Sequence, residues 1–128
     1  MKKSCTCQCD CEDTETRLVF PCSGAADVGE VTDRAARWMT RAGTGDMYCL
    51  AGIGGRVSGI MASTQAATKI LAIDGCPQEC ARKTLEQAGF TGFHHLKVAD
   101  LGLLKRQTPP TDEVVRRVAE AGAVLLNS

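Results

Sequence analysis

The chain has 128 residues, with 15 Lys+Arg against 15 Asp+Glu, a net charge of zero and a pI near 6.7. That length suits one domain burying roughly two-thirds of its unfolded surface and is too short for two ordinary domains. Balanced charge leaves no global field to gather phosphate backbones, so nucleic acid is excluded as an expected partner, and an aromatic fraction of 4% with 13 Gly points to a core of small aliphatic side chains.

The outlying count is eight cysteines. Four of them, Cys5, Cys7, Cys9 and Cys11, alternate within residues 1–16 among Asp10, Glu12, Asp13 and Glu15, with almost nothing apolar to bury. This stretch reads as a flexible cysteine-rich tail ahead of a domain over residues 17–128. Two lysines with no apolar stretch behind them do not make an export signal. Nothing elsewhere approaches the roughly eighteen apolar residues that cross a bilayer, so no membrane partner is expected. The expected location is the cytoplasm, where thiols stay reduced and clustered cysteines serve metal or redox chemistry more often than disulfides.

From residue 17 onward short apolar runs alternate with helix-period segments, the pattern of a parallel sheet with crossover helices. A first strand is expected at Leu18 to Pro21. Val28, Val31, Ala35, Trp38, Met39 and Ala42 then recur at helical spacing, with Asp27 and Glu30 placed as cap and N3 partner and Gly43 and Gly45 as the stop. Met47 to Leu50 reads as the second strand and Val57 to Ala67 as a helix in which Gly59 costs about 1 kcal/mol relative to alanine. Lys69 to Asp74 is the third strand. A third helix opens at Pro77, whose missing N–H would be unpaired at a first helical position anyway, and ends at Gly89. His95 to Ala99 is the fourth strand. The fourth helix follows Pro109 and Pro110, with Thr111 as cap, Asp112 and Glu113 in the first turn, and Val114, Val115, Val118 and Leu125 facing inward. The expected fold class is α/β: a single domain with a mostly parallel four-stranded sheet and helices on both faces, Rossmann-like or flavodoxin-like.

Cys22 follows the first strand, Cys49 ends the second and Cys76 lies just past the third. They fall 27 residues apart, 22 to 49 and 49 to 76. That is about one strand-plus-helix unit, so equivalent points of consecutive units share one edge of the sheet. In open α/β sheets it is the edge where ligands bind. Cys80, four residues beyond Cys76 on the helix opened by Pro77, can turn its sulfur toward the same place. Four converging thiols make a tetrahedral sulfur set suited to Zn²⁺ and, as second choice, to an iron–sulfur cluster. Glycines beside these cysteines let the backbone approach an ion, and three helix N-termini aimed at one spot would favour thiolate over thiol. Two other readings stay open: each cysteine as a small buried hydrophobe, and a redox disulfide between Cys76 and Cys80.

The alternating Cys5, Cys7, Cys9 and Cys11 resemble a small metallothionein-like tract, expected to form a second metal site able to pass an ion to the domain. His94 and His95, at the start of the fourth strand, fall on the edge opposite the cysteines and read as packing residues. Asp74 reads as an acceptor of backbone N–H bonds in its own tight loop. The loop after the fourth strand, near Leu103, should border the site, with Lys105 as a solvated lysine there. No Ser/His/Asp order and no phosphate-binding GxxxxGK[ST] occurs. A cysteine-phosphatase loop is excluded because the position needing arginine holds Val28.

Four blocks of sequence, CSGAADVGE from Cys22, CLAGIGG from Cys49, IDGCPQECA from Ile73 and VADLGLLK from Val98 to Lys105, resemble the DGC-domain family of proposed zinc-binding proteins, named for the Asp74-Gly75-Cys76 triplet. The resemblance spans about residues 17–126. It implies an α/β domain holding metal through four cysteines, which carry over onto Cys22, Cys49, Cys76 and Cys80 with no departure at those positions. It implies a ligand set rather than a reaction. The expected function is that of a cytosolic zinc-binding protein whose partner is the metal ion. Closed four-thiolate sites stabilise or store rather than activate water, so no catalytic residue is assigned. The alternatives are a thiol-redox or metal-assisted enzyme in which one cysteine can leave the metal, and a metal or redox sensor.

Overall fold

Four strands pair in parallel throughout: β1 (Arg17–Pro21) with β2 (Asp46–Met47) on one side and with β3 (Lys69–Asp74) on the other, and β3 with β4 (His94–Lys97), in the order β2-β1-β3-β4. The computed structural model describes residues 15–128, so Cys5, Cys7, Cys9 and Cys11 and the second metal site expected there lie outside the described residues. Successive strand residues point to opposite faces, and the core divides accordingly. Val19, Leu71, Ile73 and Leu96 are buried under α1 (Asp27–Ala42) and α5 (Asp112–Leu126). Leu18, Phe20 and Ala72 are buried on the other face, with Ile53 of α2 (Leu50–Gly54), Ile60 of α3 (Ser58–Ala66) and Leu85 of α4 (Cys80–Gln87). The expected single α/β domain with helices on both faces is therefore found. The strand order reverses direction between β1 and β3, which fixes a crevice at their carboxyl ends.

Several boundaries differ from the sequence reading, each for a local reason. Strand β2 is only two residues long: Tyr48 still donates its N–H to the Val19 carbonyl (2.9 Å), but the chain then turns into the short helix α2, with Cys49 as its N-cap. An apolar run as short as this one does not distinguish strand from helix by period. Helix α4 begins at Cys80 rather than Pro77, because Glu79 takes a left-handed conformation, φ 56°, that interrupts helical winding. A 3-10 turn over Val98–Leu101 cuts short the fourth strand. Thr111 caps α5 as expected, accepting the Val114 N–H (3.2 Å), and Val115, Val118 and Leu126 are buried beneath it. No helix among the described residues is long and apolar enough to cross a membrane.

Asp27 is not the N-cap of α1; Ala26 is. The Asp27 carboxylate instead accepts the backbone N–H groups of Val28 (2.8 Å), Arg106 (2.9 Å) and Thr108 (3.0 Å), fastening the loop after β4 to the first turn of α1. Those bonds, from Arg106 first and Thr108 next, hold its carboxyl below the ordinary aspartate range. A carboxyl lowered in the folded state stabilises above its unfolded pKa and loses that contribution as pH falls through the folded value. Hydrogen-exchange protection of the Arg106 and Thr108 amides should therefore fall selectively below about pH 4. Equal retention there and at the Leu103 amide, which is bonded to the Val98 carbonyl, would refute the fastening.

Candidate metal centre

Cys22 N–H donates to the Ile73 carbonyl (2.9 Å), carrying the β1–β3 ladder one residue past β1 and setting the thiol at the point where the strand order reverses. Two glycines let the backbone close up around it. A Cβ added to Gly75 would lie 2.8 Å from the Val28 carbonyl, so the exit of β3 touches the first turn of α1. A Cβ added to Gly29 would collide with the backbone of Gly24, so the loop after Cys22 lies directly on α1. Any side chain at either position forces these segments apart.

Cys22 and Cys49 line one cavity of about 510 Å³, together with Pro21, Tyr48, Leu50 and Thr84. Thr84 stands one turn beyond Cys80, which puts Cys80 on the same face of α4, toward the rim of that cavity. Cys76 is half-buried and packs against the core under α1 and α5, a cluster that also holds Leu103 of the loop after β4, while Lys105 is exposed. Cys76 and Cys80 are not one face of one helix, because the turn through Glu79 separates them. The Glu79 N–H donates to the Cys76 carbonyl (3.2 Å), and the Glu79 carboxylate pairs with Arg82 and with Lys97 (3.7 Å). The Arg82 hydrogen bond holds that carboxyl below its ordinary range. All four cysteines are free thiols. Among the described residues, no three His, Cys, Asp or Glu side chains stand close enough together to hold one ion. Two thiols thus share a cavity, and Cys76 and Cys80 stand outside its lining, at the turn and helix start that follow β3.

Thr32 carries no local sequence signal and proves central. Its buried hydroxyl donates to the Gly29 carbonyl (2.8 Å), accepts the Ser23 N–H (3.1 Å) and lies 3.4 Å from the Cys22 sulfur. With its single proton given to Gly29, the hydroxyl accepts from the thiol. Thr32→Val leaves the Ser23 N–H and the thiol without this partner and should lower unfolding stability by about 1–2 kcal/mol in a urea titration. Thr32→Ser should recover most of that loss; a valine variant as stable as the parent would remove Thr32 from the site.

Asp74 is 1% exposed and accepts three hydrogen bonds: the Ala81 N–H (2.7 Å), the Arg82 N–H (3.1 Å) and the His95 Nε2 (2.8 Å). It serves backbone N–H groups as expected, but those of the first turn of α4 rather than of its own loop. Glu79, adjacent to that helix, makes no capping bond. The N-terminus of α4 is consequently neutralised by a carboxylate of the sheet and is not free to act on the thiols, contrary to the expectation of three open helix ends. His94 lines a cavity with Lys69, Phe90 and Phe93 at the far edge, as expected. His95 does not stay there. The parallel register sets it opposite Ala72, two residues before Asp74 on the same face, and its ring reaches the carboxylate. A carboxylate only accepts, so His95 gives its Nε2–H to Asp74 in this bond.

Residues 18–121 match the family model described as DGC domain. The chain belongs to the DGC-domain family. It is 35% identical over 89 residues, covering 70% of this chain and 68% of the relative, to the "Anaerobic and virulence modulator AnvM" of Pseudomonas aeruginosa. No solved structure matches the chain. In this DGC domain the triplet divides its work: Asp74 caps α4, Gly75 admits α1, and Cys76 offers its thiol at the turn.

Proposed function

We propose that this DGC domain binds zinc in the cytosol through Cys22, Cys49, Cys76 and Cys80. The observation that carries the reading is the shared cavity of Cys22 and Cys49, which brings thiols from two strand–helix units to the carboxyl edge of the sheet at its reversal point. The face of α4 that carries Cys80 supplies the neighbouring wall. Four thiolates form the soft donor set that tetrahedral zinc takes, and binding would release the thiol protons. Cys76 and Cys80 flank a turn that already departs from helical winding at Glu79, so closing on an ion requires that turn to rearrange and leaves the sheet in place. A site closed by four thiolates handles or stores the ion, and no catalytic residue is assigned. The test is native mass spectrometry of the full chain with Cys5, Cys7, Cys9 and Cys11 changed to Ser, alongside thiol titration. One zinc per chain with four protected thiols is expected; four thiols reactive in excess zinc would sink the reading.

A second reading, thiol redox chemistry at Cys22, is favoured by the Thr32 hydroxyl beside that sulfur and by the open cavity it shares with Cys49. The relative's description as an anaerobic modulator is compatible with thiols that report redox state. This reading expects one thiol of the zinc-loaded protein to alkylate much faster than the other three.

A further inference from the structure

A second groove, of about 600 Å³, opens along β2 and is lined by Arg37, Thr40 and Arg41 of α1 and by Met47, Tyr48 and Cys49. The last three also line the Cys22 cavity, so the two spaces meet at Cys49. Helix α1 returns the chain between two parallel strands and so runs opposite to them. Arg41, in its last turn, therefore stands near the start of β2, and Arg37 one turn closer to Cys49. Arg37 shares its charge with Asp33 (2.8 Å); among the described residues Arg41 pairs with no carboxylate. The β2 edge offers little to an added strand, since the Met47 N–H is already given to the Thr40 hydroxyl (2.8 Å). Recognition in this groove falls to side chains, cationic at one end and a thiol at the other.

We propose that the groove holds this chain's own N-terminal segment, with Asp10, Glu12 and Asp13 against Arg37 and Arg41 and the cysteines preceding them beside Cys49. The order agrees. Moving back from Glu15 the chain meets Asp13 and Glu12, then Cys11 and Asp10, and then Cys9, Cys7 and Cys5 with no further carboxylate, while the groove runs from Arg41 through Arg37 to Cys49. The reach agrees too. The segment departs from the foot of β1, where the Thr16 carbonyl accepts the Thr68 and Lys69 N–H groups (2.8 and 3.1 Å). Climbing the height of β1 and stepping sideways past β2 is roughly 20 Å. The stretch from Glu15 back to Cys9 spans about 20 Å when extended, so Cys9, Cys7 and Cys5 reach Cys49 and Cys11 does not.

Docking rests on charge and length alone. Its consequence, transfer of an ion from the segment to the domain, rests on the zinc reading: the Cys49 thiolate replaces one segment thiolate at the ion, and the proton Cys49 gives up goes to the thiolate it displaces. The test is peptide mapping of disulfides in the full chain, stripped of metal by chelation and oxidised mildly with diamide. Monomeric protein should carry Cys49 joined mainly to Cys9, Cys7 or Cys5. Arg37→Glu with Arg41→Glu should cut that yield by about fivefold, the worth of two exposed ion pairs, and adding Asp10→Lys, Glu12→Lys and Asp13→Lys should restore it. An unchanged yield in the charge-reversed protein, or the same link found only between two chains, would overturn the proposal. The mapping is done without metal, so a domain that fails to bind zinc leaves its result standing.

Discussion

Asp74→Ala should destabilise the domain by about 3 kcal/mol or more, read as a lower urea midpoint at unchanged slope. Three donors lose their acceptor at once: the Ala81 and Arg82 N–H groups that open α4 and the His95 ring nitrogen. A lost helix cap costs about 1 kcal/mol, and each buried donor left unpaired about 1–3 kcal/mol. The site is 1% exposed, so water is a poor substitute. Against the 5–15 kcal/mol typical of a whole domain this is a large fraction. Asp74→Asn keeps one acceptor oxygen but turns an NH₂ toward a donor, and should fall between parent and alanine. His95→Ala removes only the third donor and should cost less than half as much as Asp74→Ala. Because the two side chains touch, the double variant should fall short of the sum of the singles. A loss below about 1 kcal/mol in Asp74→Ala would refute this account of the N-terminus of α4.

Zinc affinity should drop by about 100-fold in Cys80→Ser, measured by competition with a chromophoric chelator. Structural zinc sites supply about 10–16 kcal/mol across four ligands, which assigns roughly 3 kcal/mol to each. Cys80 is the informative position because its side chain is exposed. The metal-free variant should unfold within about 0.5 kcal/mol of the parent, so that lost binding is not confused with lost folding. Cys49→Ser, also exposed, should behave alike. Cys22→Ser and Cys76→Ser change half-buried sulfurs and will mix the two effects. Undiminished affinity in both Cys49→Ser and Cys80→Ser would leave the proposed four-thiolate site without support.

The frame of the fold was legible because its signals are local. Lys69–Asp74 is a compact apolar run in which Ile70, Leu71, Ala72 and Ile73 follow one another, and the Pro-Pro-Thr-Asp-Glu stretch before α5 announces a capped helix. The common edge of the cysteines was legible because equal spacing in a chain of strand–helix units maps onto equal height in the sheet. What escaped was everything decided by register and close approach. Helix α2 was hidden in an apolar run rich in glycine. The link from His95 to Asp74 depends on which residue of β3 stands opposite it. The contact of Thr32 with Cys22 depends on Gly29 admitting the Gly24 backbone. Spacing likewise brings thiols to an edge without setting the distances among them, and the turn at Glu79 sets Cys76 and Cys80 apart in a way their four-residue separation does not reveal.

The ladders holding the two sides of the site are unequal. β1 and β3, which deliver Cys22 and Cys76, are joined by five register pairs, whereas β2 hangs on β1 by Leu18–Asp46 and Val19–Met47 alone. Local opening follows the number of bonds that must break together, so the corner with β2 and α2 belongs to the low-free-energy end of the molecule's subglobal openings. Cys49 rides on that corner. Opening of that corner moves Cys49 and leaves Cys22, bonded to Ile73 on the long β1–β3 ladder, where it is.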